Sequence, residues 1–288
     1  MTATAFALVI TAAMIHASWN ILAKKSGGGA LFVMLGVLVV SVLYAPIVAV
    51  YVYFNPPNYG WKEIALLIAT ALIHLVYSLT LQRGYQKHDL TVVYPVARGV
   101  GPLLSSTFAI VLLGEPVTLI SGGGIACIVI GIFILAGGHR IIKNPTAAQL
   151  GGVGYGALTG LAIAGYTLVD GYGVKVLLMA PLVLDYFSNV IRGMFMAPMA
   201  WRNRTALVAE WHKNGRYALI IGTISPLAYI LVLYAMQTAP ISSVAPMREL
   251  SMVFAAFFGA KLLGEGHRGE RLIGATLMAL GVWGLMHG

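Results

Sequence analysis

The sequence predicts an all-α transmembrane fold, with ten helices arranged as two inverted five-helix repeats around a central cavity. Three observations carry this prediction. The composition is too apolar to coat a soluble surface, ten apolar runs are each long enough to cross a bilayer, and a motif-bearing segment recurs at a shift of 150 residues.

Of the 288 residues, 59% are apolar and 9% charged, against roughly 45–50% and 25% in a soluble domain. The mean hydropathy is +0.87. A net charge of +9 would suit nucleic acid only if the basic residues formed one face, and here they are scattered between apolar runs, which excludes a nucleic-acid partner. The single Cys127 cannot form an internal disulfide and lies in an apolar run as a small core residue.

Breaks at charged and Pro/Gly-rich positions delimit spans near 3–23, 31–54, 63–82, 92–113 and 118–138. After a linker at 139–150 come spans near 151–170, 176–200, 217–236, 243–263 and 270–287. A hydrocarbon core about 30 Å thick takes roughly 20 apolar residues per helix, so each run suffices. The first, from Thr2 to Leu22, has no basic leader and no Ala-x-Ala pattern and is expected to be a retained helix. The runs are continuous and not alternating, which excludes a β-barrel.

Gly152, Gly156, Gly160 and Ala164 recur every fourth residue on span six, giving a small-residue face against which a neighbour can pack closely. Tyr44, Tyr51, Tyr53, Tyr59 and Trp61 gather around one span end, as an interfacial aromatic belt would. Odd-numbered loops hold thirteen Lys and Arg, and even-numbered loops only Lys62 and Lys175. Cytoplasmic loops retain basic residues, so the odd loops are expected in the cytoplasm and both termini in the periplasm, for a chain of the bacterial inner membrane.

At the 150-residue shift, Leu112-Leu113-Gly114-Glu115 falls on Leu262-Leu263-Gly264-Glu265, Arg98 on Arg248 and Phe108 on Phe258. The same shift pairs Gly124 with Gly274, Gly131 with Gly281 and Leu135 with Leu285. Duplication explains one register serving them all, and divides the chain into repeats 1–145 and 146–288. With five spans per half, the second is inserted upside down, the architecture of many secondary transporters.

His16-Ala17-Ser18-Trp19-Asn20 with Lys24 ending span one, Leu112-Leu113-Gly114-Glu115-Pro116 closing span four and Leu262-Leu263-Gly264-Glu265 closing span nine resemble the drug/metabolite transporter superfamily, in its ten-helix EamA branch of bacterial exporters. The resemblance covers nearly the whole chain. It implies a cavity lined mainly by spans 1, 3, 4, 6, 8 and 9, and export of amino acids or similar metabolites, with aromatic amino acid exporters among the members it resembles. Gly266 stands where the first half has Pro116, so the two ends are not equivalent.

Ionisable side chains deep in a membrane cost about 2.5–3.5 kcal/mol and persist where they face a cavity or a partner. Arg98 sits a few residues into span four from the cytoplasmic end, and Arg248 with Glu249 at similar depth into span nine from the outer end, one arginine on each approach. They either attract or gate a substrate carboxylate, or tether helix-end carbonyls. Asp185 and Arg192 share a face of span seven and pair with other helices or bridge through water. Glu115 and Glu265 end helices next to glycine, where a carboxylate can cap the next helix or bind a loop amide.

Pro95 and Pro246 each remove a backbone hydrogen bond and mark helix breaks or kinks, with Ser242 and Ser243 able to satisfy the freed groups. Trp19 and Asn20 on span one, His74, Tyr77 and Ser78 on span three, Tyr94 on span four, and Tyr166 and Tyr229 in the second half are candidate substrate-lining residues. The alternative is core or belt packing. His16 and His74 are candidates for a proton or substrate role.

No His-Glu-x-x-His, Gly-x-Ser-x-Gly, P-loop or paired-cysteine motif occurs. The chain therefore lacks the chemistry of a metalloprotease, serine hydrolase, ATP-driven pump or zinc site, and no cofactor or metal is expected. Asp170 and Asp185 could act together in an intramembrane enzyme, but nothing in the sequence brings them together. The expected partners are a small-molecule substrate and the lipid bilayer, and the expected unit is a monomer. The competing functions are a passive channel or facilitator, and export of drugs or other metabolites.

Overall fold

The structure, a computed structural model, describes residues 1–88, 90–135, 147–254 and 268–288. Among these, the regular elements are all helices: α1 Ala3–Ser26, α2 Ala30–Phe54, α3 Trp61–Lys87, α4 Leu90–Leu113, α5 Leu119–Leu135, α6 Ala147–Lys175, α7 Pro181–Arg202, α8 Arg204–Thr238, α9 Ile241–Arg248 and α10 Arg268–His287. The Leu262-Leu263-Gly264-Glu265 segment, Phe258, Gly266, Lys261, Arg140 and Lys143 lie outside the described residues, as does the end of span nine.

Local chemistry sets several ends. The Thr2 hydroxyl accepts the Ala5 amide at 3.2 Å, starting α1, which stops at Gly27 in the left-handed region (φ 57°). The Gly60 amide donates to Glu63 Oε2 at 2.8 Å at the start of α3, Thr118 Oγ1 accepts the Ser121 amide at 3.1 Å at the start of α5, and Pro181 opens α7.

Helices α1–α4, α6 and α8 are long and apolar enough to cross a membrane, and α5 and α10 are shorter apolar helices. Their outer faces carry Val42, Ile47, Val50, Val111, Leu112, Leu119, Leu272 and Leu280 exposed. A surface of that kind is stable against lipid, not water.

Two predicted boundaries are corrected. The stretch 201–216, expected as a loop, is helical apart from a turn at Asn203, and belongs mostly to α8. With 35 residues at 1.5 Å each, α8 is about 50 Å long and outruns an apolar core of about 30 Å. Its first turns carry Arg204, Glu210 and Lys213 with exposed Val208 and Trp211, and a Glu210–Asn214 hydrogen bond (2.8 Å) supports the helix there. The break in span nine, expected at Pro246, falls at Glu249–Leu250, where the Glu249 and Leu250 amides turn back to the carbonyls three residues earlier. Tyr44 also leaves the expected belt. It is buried and donates to the Thr223 carbonyl on α8 at 2.6 Å, whereas Tyr53, Phe54 and Trp61 are exposed.

The principal packings come in symmetry-related pairs once α1–α5 are matched to α6–α10. α3 on α6 corresponds to α8 on α1, α2 on α8 to α7 on α3, and α4 on α6 to α9 on α1, while α2 on α7, α4 on α9 and α5 on α10 map onto themselves. The α5–α10 contact gives the orientation. A Cβ on Gly124 would stand 2.7 Å from the Gly281 carbonyl, and one on Gly131 2.7 Å from the Gly274 carbonyl. These are the glycines paired by the 150-residue shift, and they cross antiparallel, so the relating axis is perpendicular to the helices, in the membrane plane. The glycine ladder of α6 packs on α4, Gly156 against Val93 and Val96 and Gly160 against Val100 and Gly101.

Candidate functional site

Both repeat arginines reach one carboxylate. Arg98 Nη1 donates to Glu249 at 2.9 Å (Oε2) and 3.3 Å (Oε1), and Arg248 Nε lies 3.5 Å from Glu249 Oε1. Glu249 is fully buried and both arginines are nearly so. The expectation of one arginine on each approach is corrected here, because α4 and α9 pack together where the α9 backbone turns, so both guanidiniums meet at the break. Arg98 Nη2 is also 3.4 Å from His16 Nε2 on α1.

Two guanidiniums share one carboxylate, leaving an excess positive charge away from water. Such charge is costly unless hydrogen bonds, rings or an anion compensate it. Aromatic faces supply part: Arg98 lies 5.4 Å from the Tyr94 ring centre and Arg248 5.8 Å from that of Tyr166. Around Tyr166 the rings continue. His74 stacks on it at 4.1 Å, Tyr77 meets it edge-on at 5.6 Å, and Tyr229 stands 6.0 Å away and 5.7 Å from His74. Helices α1, α3, α4, α6, α8 and α9 thereby contribute to one buried polar and aromatic cluster.

The remaining predicted residues are placed less centrally. Trp19 packs edge-on against His16 at 4.6 Å, with its indole Nε1 buried and without a hydrogen-bond partner. Asn20 donates to the His16 carbonyl and Ser78 to the His74 carbonyl, both at 2.8 Å within their own helices, so those donors serve the backbone. Ser243 and Pro246 are buried in α9, and Pro95 lies within α4.

Proline at 246 leaves the Ser242 carbonyl without its helical donor. The group that satisfies it is the Ser106 hydroxyl of α4, at 2.8 Å, and not a hydroxyl of α9 itself.

Sequence reading gave Asp170 no part in the site, yet its Oδ2 accepts the Tyr229 hydroxyl at 2.5 Å and the side chain is fully buried. Its four-residue spacing from Tyr166 on α6 was the available signal. Asp185 and Arg192 meet through Asn189 on their own helix: Asn189 Nδ2 donates to Asp185 Oδ2 at 3.3 Å, and Arg192 Nη2 donates to Asn189 Oδ1 at 2.5 Å.

Glu115 caps a helix, but one in the other half. Its Oε1 and Oε2 accept the Ile241 and Ser242 amides at 2.8 Å each, at the start of α9, and Lys175 Nζ lies 3.0 Å from Oε1. Burial works against ionisation of this carboxyl. The hydrogen bonds from the Ser242 and Ile241 amides and from Lys175 outweigh it and hold the group below the usual carboxylate range.

Among the described residues, no group of three or more His, Cys, Asp and Glu side chains is placed to hold a metal ion.

A search of curated proteins finds no match. A protein of known crystal structure shares the fold over 99% of both chains, with a TM-score of 0.76 at 14% identity. The profile of the EamA-like transporter family matches residues 3–137 and again residues 150–286. The chain therefore belongs to the EamA-like transporter family, as a multi-pass membrane transporter of small molecules built from two repeats.

Proposed function

We propose that the protein exports amino acids with aromatic or large apolar side chains across a bacterial inner membrane, by alternating access between its two inverted halves. The observation that carries this reading is the Arg98–Glu249–Arg248 triad set among tyrosine rings. The excess guanidinium charge suits a substrate carboxylate, and the rings of Tyr77, Tyr94, Tyr166 and Tyr229 suit an apolar or aromatic side chain. Trp19 and His74 extend the same lining, and the turn of span nine after Pro246 supplies the irregular backbone that such sites use, whereas α4 stays helical through Pro95. The repeats divide near residue 145, the odd-numbered connections face the cytoplasm, the termini face the periplasm, and the working unit is a monomer.

The test is efflux of preloaded, labelled phenylalanine and threonine from proteoliposomes, with Arg98→Ala and Tyr77→Ala beside wild type and protein-free vesicles setting the leak. Saturable phenylalanine efflux above threonine efflux, reduced in both variants, is expected. Equal, non-saturating leak of both solutes, untouched by either substitution, overturns the assignment in favour of a passive channel.

A further inference from the structure

Among the described residues, six buried side-chain polar atoms lack a hydrogen-bond partner, and three of the six belong to α6 and the end of α9. Asp170 Oδ1 and Thr167 Oγ1 on α6 and Arg248 Nε at the end of α9 are all in this condition. All three residues are at least nine-tenths buried. Membrane interiors penalise an unpaired polar group by several kcal/mol, so an anionic and a cationic group both left short of partners around one ring cluster form a receptor pair.

The ring between them is Tyr166. Arg248 lies 5.8 Å from its centre, and Asp170 follows it by one turn of α6, a rise of about 6 Å. Tyr229 closes the cluster, its hydroxyl bound to Asp170 Oδ2 and its ring 6.0 Å from Tyr166, and the Thr70 hydroxyl of α3 also approaches the carboxyl, so Asp170 is held in place while Oδ1 has no hydrogen-bond partner. Among the described residues, Arg248 is ion-paired through Nε to Glu249 at 3.5 Å, and Glu249 makes its shorter contacts with Arg98.

We infer that Asp170 and Arg248 are the two poles of a zwitterion site, Arg248 receiving the carboxylate and Asp170, with Thr167, the ammonium of an α-amino acid lying across the Tyr166 ring. The inference rests on the amino acid reading above and deepens it by naming the amine-recognising group. A carboxyl oxygen accepts from an ammonium in either protonation state, and the arriving positive charge favours the ionised one. The same charge can rest on the faces of Tyr166 and Tyr229. A substrate lacking either charge leaves one pole buried and unpaired, so the site selects for both together.

The experiment is competition against labelled phenylalanine efflux from wild-type proteoliposomes by phenylalanine, N-acetylphenylalanine, phenylpropionate and phenethylamine, then the same series in Asp170→Asn and Arg248→Gln. In wild type the three one-pole analogues should compete about tenfold or more weakly than phenylalanine. Asp170→Asn should raise the phenylalanine KM toward the phenylpropionate inhibition constant, which itself stays unchanged. Arg248→Gln should spare phenethylamine and lose phenylpropionate.

The wild-type series needs no variant to fold. If phenylalanine is transported but the amine-free analogues compete equally well, or if folded Asp170→Asn keeps the wild-type preference, the zwitterion site is overturned while the amino acid reading stands. If wild type moves no phenylalanine and transports a one-pole analogue saturably, both fall.

Discussion

Arg98 and Glu249, 151 residues apart in sequence, form a buried ion pair, Nη1 to Oε2 at 2.9 Å, that joins the fourth helix of one repeat to the broken ninth helix of the other. Removing one partner strands a charge in a medium that cannot solvate it. Glu249→Gln should therefore cost about 3–5 kcal/mol in thermal unfolding in detergent, since both guanidiniums lose their counter-charge. The double variant Arg98→Gln, Glu249→Gln should recover part of that loss, and strictly additive single effects would show that the pair is not coupled.

Ser106 and Pro246 form a second interdependent pair. Ser106→Ala leaves the Ser242 carbonyl buried without a donor, an expected loss of about 1–3 kcal/mol. Pro246→Ala restores a backbone N–H that can reach this carbonyl. The double variant should thus be more stable than Ser106→Ala alone, as read by melting temperature.

The close approach of α5 and α10 predicts an asymmetry between adjacent glycines. A Cβ at Gly124 would come within 2.7 Å of the Gly281 carbonyl, whereas one at Gly123 would meet nothing within 4 Å. Gly124→Ala should destabilise by about 1–3 kcal/mol as the backbones are forced apart, and Gly123→Ala should be neutral or slightly stabilising. Equal melting temperatures for the two would contradict the packing.

Glu115 sets a pH dependence at the start of α9. Its carboxyl is held below the ordinary range in the folded protein, so the stability it contributes is full above its unfolded value of about 4.3 and is lost as pH falls through the folded value. Wild type should exceed Glu115→Gln in melting temperature at pH 7, and the gap should close below about pH 4 as the cap protonates. A gap that stays constant across this range would show that the cap works without its charge.

Hydropathy and duplication are local properties of a chain, and they set the helix inventory before any contact forms. Each apolar run must become a helix because lipid offers its backbone no hydrogen bonds. A duplicated segment keeps its register, so the 150-residue shift that aligned Gly124 with Gly274 and Gly131 with Gly281 also marked the residues that meet in the α5–α10 contact. The same patterns placed Arg98, Arg248, Glu249 and the tyrosines at 77, 94, 166 and 229 on helices, and that these helices share a centre was implied by the family resemblance.

Which side chains answer one another was decided only by the tertiary structure. Glu115 serves α9 instead of the helix beside it in sequence, Ser106 completes a backbone broken by a proline 140 residues later, and both arginines converge on Glu249 where sequence depth had set them apart. Asp170 gained its place only when α8 brought Tyr229 to it. The reason is physical: burial and helix formation follow from each residue's own transfer free energy, whereas a buried polar group is satisfied by whatever donor or acceptor packing brings within about 3 Å, a distance the linear pattern does not encode.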